Sequence, residues 1–517
     1  MAEKKFRFIL ETLSPVHLGC DEVYEPTGFV VNEANSSLAL FDPMALVGGL
    51  EAQDRRKFSE ICKRGTVESI LEIYKFVPSH APEADRFVRA CKGFPGHYAK
   101  VLGLTPAQFK KELNTFQIQR TAFCSEDQRP YIPGTAVKGA LRTAYLNDLA
   151  EKGPDYSREL RGLRGKGQHA GAKQKAHRWL EEKLLGLEAL RAGEKMSKDP
   201  FRMVKVSDFM PVGKVSTKIL YAVNKKKKPT DQDARGPTQI LETIEPGAVF
   251  MGQIVVEEPV VKGAVTGNIS LDKLLERARD FFGSEKERDD KQLRAIGASS
   301  APSPGNGSVP LRIGRHSGAE FVTIRRYRDI KIMLGKKGNA YQDHATTLWL
   351  SSETRKPNSN VGLFPFGWAV LRPLRPEEEG RLASEEKAYR QSRAALWRDR
   401  QGKRLEAQRL AEEEARRRAE EERRRQEEAV AEAKRRAERE KMSAEELAID
   451  DLRQENTEAN RVFEIFREMD GYSEEARREV AGLLKAVWQR EGRWSKKDCS
   501  KKQWNKVQKV KEILGEK

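Results

Sequence analysis

The sequence predicts an α+β body, followed by a long charged helix and a small all-α tail. Three observations carry this. Residues 1–375 alternate strand-like and helical runs, separated by turns that carry glycine and proline. From residue 376 the composition shifts to Glu, Arg and Ala with few large apolar side chains, and from residue 443 a capping signal and helical apolar spacing return. The 517 residues exceed one ordinary domain, and the expected divisions are 1–375, 376–442 and 443–517.

In chain order, Phe6, Phe8 and Leu10 alternate with Arg7, Ile9 and Glu11, which predicts a strand ended by Ser14 and Pro15 before a turn at Gly19. Residues 29–31 and 38–41 read as a hairpin. Asp42 and Pro43 then open a helical insertion spanning about 42–115, with helical patterns at 57–76, 84–90 and 106–114. Strand character returns at 117–124 and delivers the chain to YIPGTAVKGALRTAYLN, residues 131–147. Here Pro133 and Gly134 break the extended run, Thr135 is a candidate cap, and Val137, Ala140, Leu141, Ala144 and Tyr145 recur at helical spacing. Residues 161–175 read as a glycine-rich basic loop, and a helix is expected over 179–190. Strands are expected at 204–209, 214–223, 238–245 and 249–257, with Lys225 to Lys228 as a solvated hairpin tip. Two short helices and a Ser/Pro/Gly linker at 297–310 lead to LRIGRHSGAEFVTI, residues 311–324, where strand residues flank a turn of Gly314, Arg315, His316, Ser317 and Gly318. VGLFPFGWAVL, residues 361–371, closes the body.

Beyond it, Glu413/Arg417, Glu414/Arg418, Glu420/Arg424 and Glu421/Arg425 are i,i+4 pairs in the favourable order, while Leu405, Leu410 and Val430 are too sparse for a coiled-coil seam. A solvated single helix is expected. Ser443 and Glu446 form a capping box for a tail bundle built on Leu447, Leu452, Val462, Ile465, Phe466, Val480, Leu484 and Val487. Its final stretch interleaves Trp494 and Trp504 with Lys496, Lys497, Lys501, Lys502 and Lys506; this pattern suits either RNA or an apolar core ringed by solvated lysines.

The net charge of +18 is concentrated in the body, where sixty Lys and Arg stand against forty-four Asp and Glu in residues 1–375. A basic body points to a polyanion, and nucleic acid is the commonest. The five cysteines form no CxxC pair, so neither a zinc ribbon nor a disulfide framework is expected, and no metal site or cofactor motif is evident. No apolar run spans a membrane and no signal peptide opens the chain, so a cytoplasmic location is expected.

Two stretches look able to hold phosphate. A helix starting near Gly134 has free amides and a positive dipole end, and Lys138 and Arg142, four apart, share one edge beside it. Lys138 is followed by Gly139 rather than Ser or Thr, so the stretch is not a P-loop and nucleotide hydrolysis is not indicated. The turn at 314–318 offers small residues and two cations, Arg315 and His316.

Together, SPVHLGCDEVYEP, YIPGTAVKGALR, LRIGRHSGAEFVTI and LFPFGWAVL resemble one family, the fifth Csm subunit of type III-A CRISPR-Cas effector complexes, within the RAMP superfamily. The resemblance covers most of residues 1–375 and nothing beyond. It implies an RRM-like (ferredoxin-like) body that holds CRISPR RNA by its backbone at the spacer (3′) end of a filament. The implied partners are CRISPR RNA, a neighbouring backbone RAMP subunit and a small subunit. The candidate RNA-contact residues are His17, Gly19, Gly134, Thr135, Lys138, Gly139, Arg142, Gly314, Arg315, His316, Ser317 and Gly318, and the role the resemblance implies is non-catalytic. The competing class is a RAMP-type endoribonuclease using His17 and Asp21, which lie on one loop and could supply a general base.

Overall fold

The computed structural model describes residues 6–165, 170–228, 236–333, 338–454 and 457–516. It divides into two compact units, residues 1–394 and 395–517. The division falls inside the helix Pro376–Arg439, later in the chain than the composition change near 375.

The first unit is mixed α and β, built on two sheets. In one, Val309–Arg312, Trp368–Pro373, Phe6–Thr12, Val249–Val256 and Val204–Val206 lie side by side in that order, each antiparallel to its neighbours. Alternation in the opening strand sends Phe8 and Leu10 to one face, where they meet Phe250 and Ile254. The helices Gly134–Lys152 and Leu271–Ala295 cover this face with Val137, Leu141, Ala144, Ala278 and Phe282. Ile9 points to the opposite face, where Val212 and Leu382 bury it.

The second sheet runs Gly19–Val23, Ile118–Thr121, Gln239–Ile244, Thr217–Lys226, Arg86–Ala90, Ser37–Leu40, Phe29–Asn32. Thr347–Ser352 also pairs with Thr217–Lys226. The helical insertion packs on this sheet through an aromatic cluster of Phe29, Tyr74, Phe94, Tyr98, Phe109 and Phe116. Centroid separations of 5.6 to 6.4 Å there favour edge-on and offset contacts.

Several local expectations are corrected. Residues 84–90 are not helical: Arg86–Ala90 is a strand, because Val88 and Ala90 alternate inward and the backbone pairs with both Ser37–Leu40 and Thr217–Lys226. The two short helices after residue 257 are one 25-residue helix, Leu271–Ala295. The basic loop at 161–175 is partly helical, Ser157–Gly165 and Ala170–Leu184, and its residues 166–169 lie outside the described residues. Lys227 is not solvated; its side chain is buried and ion-paired with Glu320. After the turn at 314–318 the chain enters a short 3-10 segment, Ala319–Val322, rather than a strand.

The long helix docks before it becomes solvated. Leu382 is buried against Ile9 and Val212, Arg372 pairs with Glu378 at 2.6 Å, and Arg129 meets Glu386 through two 2.8 Å bonds while its guanidinium lies 4.4 Å from the Tyr389 ring. Residues 411–438 carry exposed side chains, with i,i+4 pairs such as Glu414/Arg418 and Glu421/Arg425. In the second unit, helices Ala444–Arg453, Ala459–Glu468, Glu474–Arg490 and Lys501–Leu514 enclose a core of Leu452, Val462, Ile465, Val480, Leu484 and Val510.

Candidate nucleic-acid interface

Three loops that are far apart in sequence interlock where the two sheets of the first unit meet. Residues 14–19 leave the opening strand and bridge to the second sheet, Val16 to Ile244 and Leu18 to Ala122. Residues 313–318 follow Arg312, which is pinned by Asp289 at 2.9 Å and by the Phe366 carbonyl at 2.9 Å. Residues 366–367 complete the set, with Ile313 donating to Gly367 and Gly367 donating to Pro15, both at 2.9 Å.

Gly314 is required by this geometry. Its φ is 82°, and a Cβ there would collide with the His17 carbonyl oxygen, the same oxygen that accepts the Arg315 amide at 2.9 Å. Ser317 closes the turn by donating its hydroxyl to the Gly314 carbonyl at 2.6 Å. Gly314, Arg315 and Gly318 remain exposed.

The two histidines take different places from those expected. His17 is 1% exposed; its Nδ1 lies 2.8 Å from the Glu242 carbonyl, and its Nε2 is buried without a hydrogen-bond partner among the described residues. Burial, reinforced by the Arg315 guanidinium, pulls its pKa down to about 4. His316, at φ 63°, stands 4.5 Å from the Trp349 ring and 3.1 Å from Gln239 Oε1, and burial with Arg315 nearby brings it to about 3. Both rings are therefore neutral near pH 7. The turn offers one cation, Arg315, rather than two, and its guanidinium is steadied by Gln119 on the second sheet. Gly19 lies beside the His17 ring and opens the strand that pairs with Thr121.

The second group is arranged around the helix Gly134–Lys152. Pro133, not Thr135, is the N-cap, and Thr135 is exposed. The close approach that Gly134 permits is by the protein itself: a Cβ would lie 2.5 Å from the Val206 carbonyl oxygen. The anion at the helix N-terminus is likewise internal, since Asp208 accepts the Gly134 amide at 2.8 Å. Arg142 is engaged by Asp199 at 3.0 Å and Glu181 at 3.1 Å, and stacks 5.1 Å from Phe201. Lys138 makes no ion pair among the described residues; burial and the neighbouring Lys205 lower its pKa. Gly139 is exposed with open space around it. The expected phosphate cradle thus reduces to Lys138, with Lys205 on the edge strand beside it.

Asp21 is exposed at φ 60°, within the register shift between Gly19 and Val23, and the adjacent Glu22 pairs with Arg120 at 3.5 Å. His17 is sealed beneath the turn, so the loop does not place an accessible imidazole beside Asp21. Among the described residues, no cluster of three or more His, Cys, Asp or Glu could hold a metal ion, and no helix is long and apolar enough to cross a membrane.

Sequence reasoning missed Asp208, Lys205, Gln119, Gln239 and Trp349. Each is an ordinary strand or loop residue in its own segment. Only the pairing of strands about 120 residues apart, Ile118–Thr121 with Gln239–Ile244, brings the two glutamines under one turn.

The RAMP superfamily model matches residues 9–515, and the chain belongs to that superfamily. Among solved structures, one chain of a Csm–crRNA–target RNA ternary complex from a type III-A CRISPR-Cas system, determined by cryo-EM, is 18% identical. That match covers 71% of this chain and 100% of the other, with a TM-score of 0.45. The crystal structure of T. onnurineus Csm5 is 19% identical, covering 70% of this chain and 99% of that one, with a TM-score of 0.43. A sequence search of curated proteins matches none of them.

Proposed function

We propose that this chain is a non-catalytic CRISPR RNA-binding subunit of a type III-A Csm complex. In this reading it is cytoplasmic, caps the spacer (3′) end of the guide, aids assembly or maturation, and contacts a backbone RAMP subunit and a small subunit. The carrying observation is that three of the four family-like stretches, drawn from the two ends of the body, meet at one junction and leave Gly314, Arg315 and Gly318 exposed on it. The excess of Lys and Arg in residues 1–375 supports a polyanionic ligand. The strand order Trp368–Pro373, Phe6–Thr12, Val249–Val256, Val204–Val206, with helices Gly134–Lys152 and Leu271–Ala295 on one face, supports an RRM-like reading of the first sheet. RNA contact is assigned to the exposed backbone of the turn, to Arg315, and to Lys138 with Thr135 and Gly139 beside it. His17, Gly19, Gly134, Arg142, His316 and Ser317 shape that surface from within.

Full-length protein is expected to bind single-stranded RNA with little base preference and with an affinity that falls steeply as salt rises. Arg315→Glu and Lys138→Glu should each weaken binding and lower the slope of log affinity against log salt by about 0.7 or more. Filter binding across a salt series reads both effects. Asp21→Ala should leave target-RNA cleavage by the assembled complex unchanged; a lost cut in a complex that still assembles would favour the endoribonuclease instead.

A further inference from the structure

The tail carries a cationic face that the body's proposed site does not use. Its sixteen Lys and Arg balance sixteen Asp and Glu over residues 443–517, but residues 493–511 hold eight of the cations and only one carboxylate, Asp498. Elsewhere in the tail Arg453 pairs with Glu479, Arg461 with Asp451, Arg477 with Asp470 and Lys485 with Glu516, and within 493–511 Arg493 pairs with Glu491 and Lys509 with Asp470. Lys496, Lys497, Lys501, Lys502 and Lys506 make no ion pair among the described residues.

An aromatic ring lies within this face. Phe463 is 42% exposed although it sits on the helix Ala459–Glu468, whose Val462, Ile465 and Phe466 are buried. The Lys506 ammonium stands 3.7 Å from its ring centroid and the Arg467 guanidinium 5.9 Å. Lys502 lies one turn before Lys506 on the helix Lys501–Leu514 and so shares its edge. Trp494 and Trp504, the aromatics that the sequence pattern singles out, pack against the tail core instead.

We propose that this face binds single-stranded nucleic acid, with phosphates on Lys502 and Lys506 and a base stacked on Phe463. The occupant follows from the combination. Unmatched lysines alone would attract any polyanion, but an exposed ring set among them adds a planar apolar surface that a base can cover and an acidic side chain cannot. Any base presents such a face, so little sequence preference is expected.

The test uses full-length protein and an oligouridine carrying 4-thiouridine, cross-linked by light and mapped by mass spectrometry to peptides of the body and of the tail. Cross-links to the peptide containing Phe463 are expected. They should fall about tenfold in Phe463→Ala and in Lys502→Gln combined with Lys506→Gln, while body cross-links persist. Lys506→Arg should keep them, and the helical circular dichroism of each variant checks that the tail remains folded. Cross-links confined to the body would overturn the proposal while leaving the body's site standing. So would tail cross-links unchanged in folded variants. Oligoglutamate that binds the tail equally well with and without the Phe463 ring would reassign the face to an acidic protein and overturn it too.

Discussion

Two neutral imidazoles hold the junction beneath the glycine turn, and this sets a pH dependence. A histidine titrates near 6.5 when unperturbed, whereas His17 is brought down to about 4 in the fold. Between those values the unfolded chain binds more protons than the folded one, so the stability tied to His17 is fully present above about pH 6.5 and is lost as pH falls toward 4. His316 adds in the same direction. The thermal midpoint of the protein is therefore expected to fall between pH 6.5 and 5, where most carboxylates are still ionised. His17→Gln should flatten that fall, and an unchanged slope in the variant would show that His17 is not the titrating group. At this scale the sequence marks where backbone comes close, at Gly134 and Gly314, but not what comes close. The partners are Val206, Ser207 and His17 of the same chain, and nothing local to a glycine records a carbonyl arriving from a strand far away. Arg142 makes the same point, since its two carboxylates lie beyond its own helix, at Glu181 and Asp199.

Among the elements, the long helix was legible in its charge pattern and illegible in its docking. One leucine and a few glutamates in a polar run give no amphipathic stripe, yet Leu382 fills a site made by Ile9 and Val212, and Glu386 satisfies Arg129, which is 5% exposed. Removing residues 376–517 would uncover Ile9 and leave a buried guanidinium without one of its carboxylates, a loss on the order of 3 kcal/mol from the ion pair alone. Removing residues 395–517 spares both contacts. The longer fragment is expected to be soluble, with a higher thermal midpoint than the one ending at residue 375; equal midpoints would mean that the docked turns contribute nothing. The strand Arg86–Ala90 failed for a related reason. Seven residues of mixed polarity satisfy a helical period as easily as an alternating one, and the choice is made by partner strands at Ser37–Leu40 and Thr217–Lys226.

Across the whole molecule, the interlocked junction also constrains when the body can fold. The opening strand Phe6–Thr12 lies between Val249–Val256 and Trp368–Pro373, so both of its edges wait for chain that the ribosome delivers hundreds of residues later. At about 5–20 residues per second that interval is on the order of tens of seconds, during which an apolar strand has neither neighbour. Such long sequence separation between contacting strands also slows closure once the last strand arrives. Nascent chains arrested with residue 360 outside the exit tunnel are expected to be cut readily by protease within residues 6–23, and chains arrested with residue 394 outside to be resistant there. Protection at the earlier point would mean that the opening strand finds a partner without Trp368–Pro373. Until that strand emerges, retention of the opening segment by a holding chaperone would protect it from aggregation, and expression yield should rise more from added chaperone than from any stabilising substitution in the finished fold.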